Sequence, residues 1–276
     1  VWACVRLLSE TVSTLPLKLY RRGEDGSREA ATDHPMYALL CQRPNAEMTP
    51  ARFMLLVIAS ICLRGNAFIE KRRIGARIVA LHPLLPQNVT VKRLPTGRLE
   101  YTYTEEGSRR GIPERDIVHI RGFGLDGVTG MMPVNTGKEV IGSAIAADEA
   151  SSKVFAQGLQ ASGFLSTDKT LTKDQREDLR EKLTAFQGSK NAGKLMVAEA
   201  GLKYEGITMD PEAAQMLETR SFNVEEICRW WRVPPFMVGH TTKQSSWASS
   251  VEGMNLQFLT NTLRPLIENI EQELNM

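Results

Sequence analysis

Apolar positions over residues 1–14 (VWACVRLLSETVST) fall at Val1, Cys4/Val5, Leu8 and Val12, a helical spacing, and predict a helix there. Pro16 stops it, and the alternating Leu15, Leu17 and Leu19 predict an extended run followed by a charged, Gly-containing turn over 21–33. Helices are predicted over 35–41 and 50–64 around the turn RPNAEMT, with Thr49 as N-cap and Pro50 at the first helical position. From Gly65 to Arg121 the period shortens to two. NAFIEKR, RIVALHP, NVTVKRL, LEYTYTE and DIVHIRG, separated by Gly, Pro and charged turns, predict a small antiparallel sheet.

Beyond the turn GLDGVTGMMP the pattern is helical again. Residues 133–158 are crowded with small side chains (Ser143, Ala144, Ala146, Ala147, Ala150, Ser151, Ser152) that let neighbouring helices approach. As one helix they would reach roughly 39 Å. Thr172 and Gln175 form a capping-box pattern before Leu179, Leu183 and Phe186, and the strand-like runs LMVAEA and LKYEGIT meet at Gly201. Asp210-Pro211-Glu212 opens a helix carrying Leu217, Val224, Cys228 and Trp231 on one face, which Pro234-Pro235 ends. The polar stretch HTTKQSSWASS leads to a last helix with Val251, Met254, Phe258, Leu266, Ile270 and Leu274, kinked at Pro265.

Composition bounds the class. With 276 residues, 42% of them hydrophobic, the chain makes one large or two modest domains, and wholesale disorder is excluded. Its formal charge is only +2, but residues 1–160 hold 21 positive and 16 negative side chains, a net of +5, while residues 209–276 hold 5 and 9, a net of −4. Such asymmetry points to two surfaces with different partners. Cys4, Cys41, Cys62 and Cys228 have no metal-binding or redox spacing and read as free thiols, and His34, His82, His119 and His240 are equally scattered, which argues against a zinc site on one helix. The longest apolar run, Phe53 to Leu63, is too short for a bilayer core that needs ~20 residues, and reads as a buried helix with no signal peptide before it. A start at Val1 inside one helix and a stop at Met276 inside another read as a piece of something longer.

Two enzyme motifs match in letters and fail in context. GFGLDG at 122–127 fits a dinucleotide fingerprint through Gly122, Gly124 and Gly127, but another turn follows where a helix N-terminus should receive the pyrophosphate. GSKNAGK, Gly188 to Lys194, fits a phosphate-binding loop, yet Leu195 stands where a hydroxyl should bind magnesium, and the order is helix to strand. A nucleotide-dependent enzyme using either loop is the alternative reading. No nucleophile elbow or zinc-helix motif is present, and the acid pairs Asp148-Glu149 and Glu225-Glu226 sit on helix faces.

Taken in order, VWACVRLLSETVSTLPLKLY, HPMYALLCQRPNAEMTPARF, LRGNAFIEKRR, LHPLLPQNV, Tyr101-Thr-Tyr103, DIVHIRGF with DGVTGMMP, NAGKLMVAEAGLKYEGITM, and EEICRWWRVPPFMVG with SSWASSVEGMNLQF resemble the portal protein of long-tailed bacteriophages. The resemblance spans essentially the whole chain; Trp230-Trp231 departs from it, since a single aromatic is more usual there. It implies an α+β portal fold with an α/β wing over 1–132, a first stem helix over 133–159 and a helix-plus-hairpin clip over 160–208. A second stem helix over 209–233 and a tunnel loop with a Pro-kinked helix over 234–276 would follow, the crown lying outside the chain. It implies a non-enzymatic ring of about twelve copies at one capsid vertex, without cofactor, metal or membrane partner. Double-stranded DNA would pass through that ring in packaging and ejection. A tunnel loop of His240, Thr241, Thr242, Lys243, Gln244, Ser245 and Ser246 would face the DNA. Clip residues Lys169, Lys173, Arg176, Arg180 and Lys190 would meet the terminase large subunit and later the head-tail adaptor, with the major capsid protein or scaffold as further partners. The protein would act in the host cytoplasm during assembly and in the virion afterwards.

Overall fold

The computed structural model describes residues 1–156, 163–166, 172–175, 177–178, 203–206, 211–240 and 248–275. It divides into two compact units, Val1–Ile141 with Val224–Met276, and Gly142–Asn223.

The first unit is built on two packed helices. Helix α1 (Trp2–Ser13) buries Cys4, Val5, Leu8 and Val12, the stripe its spacing predicts. Helix α3 (Pro50–Arg64) is capped by the Thr49 hydroxyl, which accepts from the Arg52 amide at 3.3 Å, and ends at Gly65 in the left-handed region (φ 72°). The apolar run Phe53 to Leu63 fills the core rather than a membrane: Phe53, Val57, Ile58 and Ile61 are buried. At about 1.5–3 kcal/mol for each fully buried side chain, this helix is a main source of stability. Between the two helices, Tyr20–Arg22 (β1) and Arg28–Ala30 (β2) form an antiparallel hairpin where a turn was predicted. Both strands are exposed throughout, so no alternation announces them. The short helix α2 (Pro35–Tyr37) passes into a π-helical turn over Ala38–Gln42.

The predicted single sheet is two sheets of three antiparallel strands. One has the order β4-β3-β8, from Arg77–Leu84, Asn66–Ile74 and Ile117–Arg121; the other is β5-β6-β7, from Val89–Arg93, Leu99–Glu105 and Ser108–Ile112. A second core joins them, made of Phe68, Leu84, Tyr101, Tyr103, Ile112 and Ile117. The other face of β3 and β8 contributes Ala67, Ile69 and Ile120 to the helical core.

Helix α4 (Pro133–Thr136) stops at Gly137, and α5 (Lys138–Ala156) restarts beyond it. Within the described residues 133–156 the predicted helix is thus interrupted at Gly137 instead of continuous. Helix α6 (Pro211–Trp230) begins at the predicted proline. The last helix is α7 (Ala248–Phe258), a π-helical turn over Leu259–Leu263, and α8 (Arg264–Leu274) with Pro265 in its first turn. The expected kink has a definite form: the Pro265 ring cannot pass the carbonyl four residues back in a regular helix, and the wider turn makes room.

In the second unit, β9 (Gly163–Ser166) pairs antiparallel with β10 (Lys203–Gly206). Strand β10 lies within the predicted LKYEGIT run, whereas LMVAEA falls outside the described residues. The Gln175 side chain accepts from the Thr172 amide at 3.0 Å, the reciprocal half of the predicted capping box. Arg220 meets Asp148 at 3.0 Å, so this acid has a structural partner. No described helix is long and apolar enough to cross a membrane.

Candidate functional site

The loop predicted to face DNA springs from a corner that the structure fixes firmly. Helix α6 ends at Trp230, and Arg232 turns the chain in the left-handed region (φ 55°). Cys228 is buried against Cys4 with their sulfurs 3.9 Å apart, and the buried Trp231 indole donates to the Cys62 carbonyl at 2.9 Å. All four cysteines are free, and burial pushes the Cys62 thiol up to about 12, so it stays protonated. The Thr262 hydroxyl donates to the Arg232 carbonyl at 2.6 Å, tying the π-helical turn to the corner. Pro235–Val238 adds one 3-10 turn, Gly239 follows at φ 82°, and the His240 imidazole reaches Glu225 at 3.8 Å.

Of the predicted loop residues, the structure therefore places His240, at the foot and against α6. Thr241, Thr242, Lys243, Gln244, Ser245 and Ser246 lie outside the described residues, and α7 begins just after them at Ala248. Of the predicted clip residues, Lys173 is exposed in a short helical stretch, while Lys169, Arg176, Arg180 and Lys190 lie outside the described residues.

The tandem tryptophans divide their work. Trp231 is the core anchor. Trp230 is 39% exposed and lies against Gly137, where an added Cβ would come within 3.1 Å of the indole. The helical face predicted for α6 holds at Cys228 but not at Val224, which is 37% exposed, nor at Trp231, which lies beyond the helix end. Arg229 sits 3.7 Å from Glu225 and 3.8 Å from Glu226, so that acid pair belongs to a surface ion-pair group.

The glycines of 122–130 form a packing junction. The Gly122 amide donates to the Gly65 carbonyl at 2.7 Å, and a Cβ on Gly130 would overlap that same carbonyl oxygen. Asn66 locks the junction: its Oδ1 accepts from the Gly130 amide at 2.7 Å, and its Nδ2 donates to the Gly130 carbonyl at 2.8 Å. The same Oδ1 lies 2.9 Å from Nε2 of buried His119. An amide oxygen can only accept, which puts the imidazole proton on Nε2 and leaves Nδ1 to face the Tyr101 hydroxyl at 3.4 Å. Burial, then the charge of Arg121, drives the His119 pKa down to about 3, so the ring is neutral. Asp126 accepts from the Val128 and Thr129 amides, closing the loop as an Asx turn. No face of this loop resembles a pyrophosphate cradle at a helix N-terminus. Sequence reading missed the Asn66–His119 lock, although Asn just after a helix-ending glycine was its one visible signal. No group of three or more potential metal-ligating side chains occurs among the described residues.

An α+β chain in which two long helices bracket a strand pair in sequence, and whose described polar and glycine clusters are packing junctions, has the makings of a structural subunit. A family model described as phage portal protein matches residues 1–276, and the chain belongs to that family of structural capsid components. It is 32% identical over 277 residues to the portal protein of Enterobacteria phage HK97, covering 99% of this chain and 65% of the relative. It is 33% identical over 289 residues to the probable portal protein of Streptomyces phage phiC31, covering 100% and 62%. The chain thus spans somewhat under two thirds of each of these relatives. Among solved structures, the neck of an empty gene transfer agent (GTA) particle computed with C6 symmetry matches at TM-score 0.77 and 26% identity, over 99% of this chain and 75% of that one. An HK97-family phage portal protein from Corynebacterium diphtheriae shares the fold at TM-score 0.60 and 18% identity, over 100% and 85%.

Proposed function

We propose that this chain is one wedge of a ring of about twelve copies that forms the conduit for duplex DNA at the unique vertex of a phage capsid. The observation that carries the proposal is the match of essentially the whole chain to a portal protein and a probable portal protein, with likeness to neck structures computed with C6 and C12 symmetry beside it. In this reading residues 1–132 are the wing, 133–159 and 209–233 the stem, 160–208 the clip, and 234–276 the tunnel loop and its supporting helix. The 240–246 loop faces the DNA. The clip meets the terminase large subunit during packaging and the head-tail adaptor afterwards, and the wing meets the capsid or its scaffold. The work is done in the host cytoplasm and then in the virion.

Weak contact suits the task. Each phosphate neutralised adds sequence-independent affinity that opposes sliding. A loop of short polar side chains with one lysine, in a region of net charge −4, keeps that affinity low. The chain needs no catalytic group of its own for this; the motor supplies the work. Electron microscopy and native mass spectrometry of the full-length protein test the reading: rings of one subunit number with an open channel are expected, and a chain that never closes into rings ends it. Calorimetry with ATP and NAD tests the enzyme alternative, and tight binding abolished by Lys194→Ala would establish it.

A further inference from the structure

The positive excess of residues 1–160 has one concentrated source in the sheet formed by β3, β4 and β8. Strand β3 pairs with β8 only as far as Glu70 opposite Ile117, but its ladder with β4 continues to Ile74 opposite Arg77. A two-stranded ribbon therefore runs past the three-stranded sheet by about four residues, or ~13 Å. Every residue from Arg72 to Arg77 is exposed. The ribbon carries Lys71, Arg72, Arg73 and Arg77 with no acidic residue between them, and its tip is Ile74, 75% exposed. The turn is firm, with Gly75 at φ 60° and the Arg73 guanidinium donating to the Ala76 carbonyl at 3.0 Å.

Two carboxylates stand at its base. Glu70 is gripped through both oxygens by Arg110 and lies 3.6 Å from Arg72; Asp116 lies 2.8 Å from Arg73 and 3.5 Å from Arg115. Six cations thus share two anions, around a hollow of about 450 Å³ lined by Lys71, Arg72, Arg73 and Arg110. No ion pair occupies Lys71 or Arg77 among the described residues. Burial, and then the neighbouring Arg73, hold the Lys71 ammonium below its usual pKa, as expected where positive charge is in excess.

We infer that this ribbon binds duplex DNA outside the channel, its cations on the phosphates beside one groove and Ile74 directed into that groove. A two-stranded ribbon has the width the major groove admits, and an apolar tip flanked by cations is also the arrangement that wedges into a minor groove. An acidic protein fits less well. Protein interfaces gather around an apolar centre, and here the exposed apolar surface is Ile74 with part of Val79. The same shortage argues against a membrane surface, which needs a broad apolar face.

The test is binding of the full-length protein to a covalently closed duplex minicircle, which cannot be threaded through a ring. Binding that weakens with salt is expected. In the Lys71→Ala/Arg77→Ala variant, log K against log salt should lose about two units of slope, and affinity near 0.1 M salt should fall on the order of tens-fold. Ile74→Ser should lower affinity and leave the slope in place. Thermal stability and subunit number should be unchanged in both, which separates this site from the ring itself. No binding of the closed circle, or an unchanged slope in the double variant, overturns the inference. Binding of poly-L-glutamate without binding of the minicircle overturns it in favour of an acidic protein partner.

Discussion

At the residue scale, His119 is a buried base whose neutrality the fold enforces. Its folded pKa of about 3 lies below the ordinary 6.5, so the unfolded chain binds the proton more readily. Its contribution is complete above about pH 6.5, declines as pH falls, and is exhausted below about pH 3. At pH 5 the loss is roughly 2 kcal/mol relative to pH 7. Urea unfolding of wild type and His119→Gln should show this as a difference in slope: between pH 7 and 5 the wild type should lose more stability by about that amount. Equal slopes would mean that water reaches the imidazole. The glycine junction gives a second expectation. Gly130→Ala forces a Cβ into the Gly65 carbonyl oxygen, backbone against backbone with nothing flexible to yield. It should cost about 3 kcal/mol or more, read from the same unfolding curves.

At the element scale, helix α5 carries the question of what small side chains are for. Ser143 and Ala146 are exposed in the single chain, and a Cβ on Gly142 would meet nothing within 4 Å. These positions are not small because their own chain crowds them. Gly142→Ala should therefore stabilise the chain by up to about 1 kcal/mol through helix propensity. Ser143→Leu and Ala146→Leu should leave unfolding nearly unchanged while lowering the yield of closed rings, measured by native mass spectrometry. Rings formed in full yield by both would assign the close approach to another face. Elements with a buried stripe were legible in the sequence: α1 through Cys4, Val5, Leu8 and Val12, and α3 through its Thr49-Pro50 start and Gly65 stop. Strand β7 was not, because Arg109 and Arg110 break the apolar alternation and only pairing with β6 makes the segment a strand. The hairpin of β1 and β2 was missed for the same reason, and Gly137, where the helix breaks, lies against the Trp230 indole some ninety residues away. Periodicity reports one segment facing one core. It is silent where a distant partner chooses the conformation, which is also why the Asn66–His119 lock escaped notice while the corner prolines at 234–235 did not.

At the scale of the whole molecule, the near-neutral total charge conceals two regions with opposite requirements. Residues 209–276, at −4, surround the loop proposed to face moving DNA, and residues 64–121 hold twelve cations against six acids, including the exposed ribbon. A channel should hold its cargo weakly, whereas a surface away from the channel can bind DNA without slowing it, since no chain has to slide past it. The described residues on either side of the loop have definite places, His240 against Glu225 before it and the start of α7 at Ala248 after it. The corner beneath it is held independently by Trp231, Cys228 and Thr262. Side chains at the loop's middle can therefore change without disturbing that scaffold. Lys243→Ala and Gln244→Ala should leave subunit number and melting temperature within error of wild type, but impair the amount of DNA packaged or retained in particles. Lys243→Glu should do so more severely, because a repeated negative charge on every copy would repel the phosphates in register around the ring. If all three variants package and retain DNA at the wild-type level, the loop does not face the cargo. The −4 of the surrounding region would then reflect contacts between subunits and not the lining of a conduit.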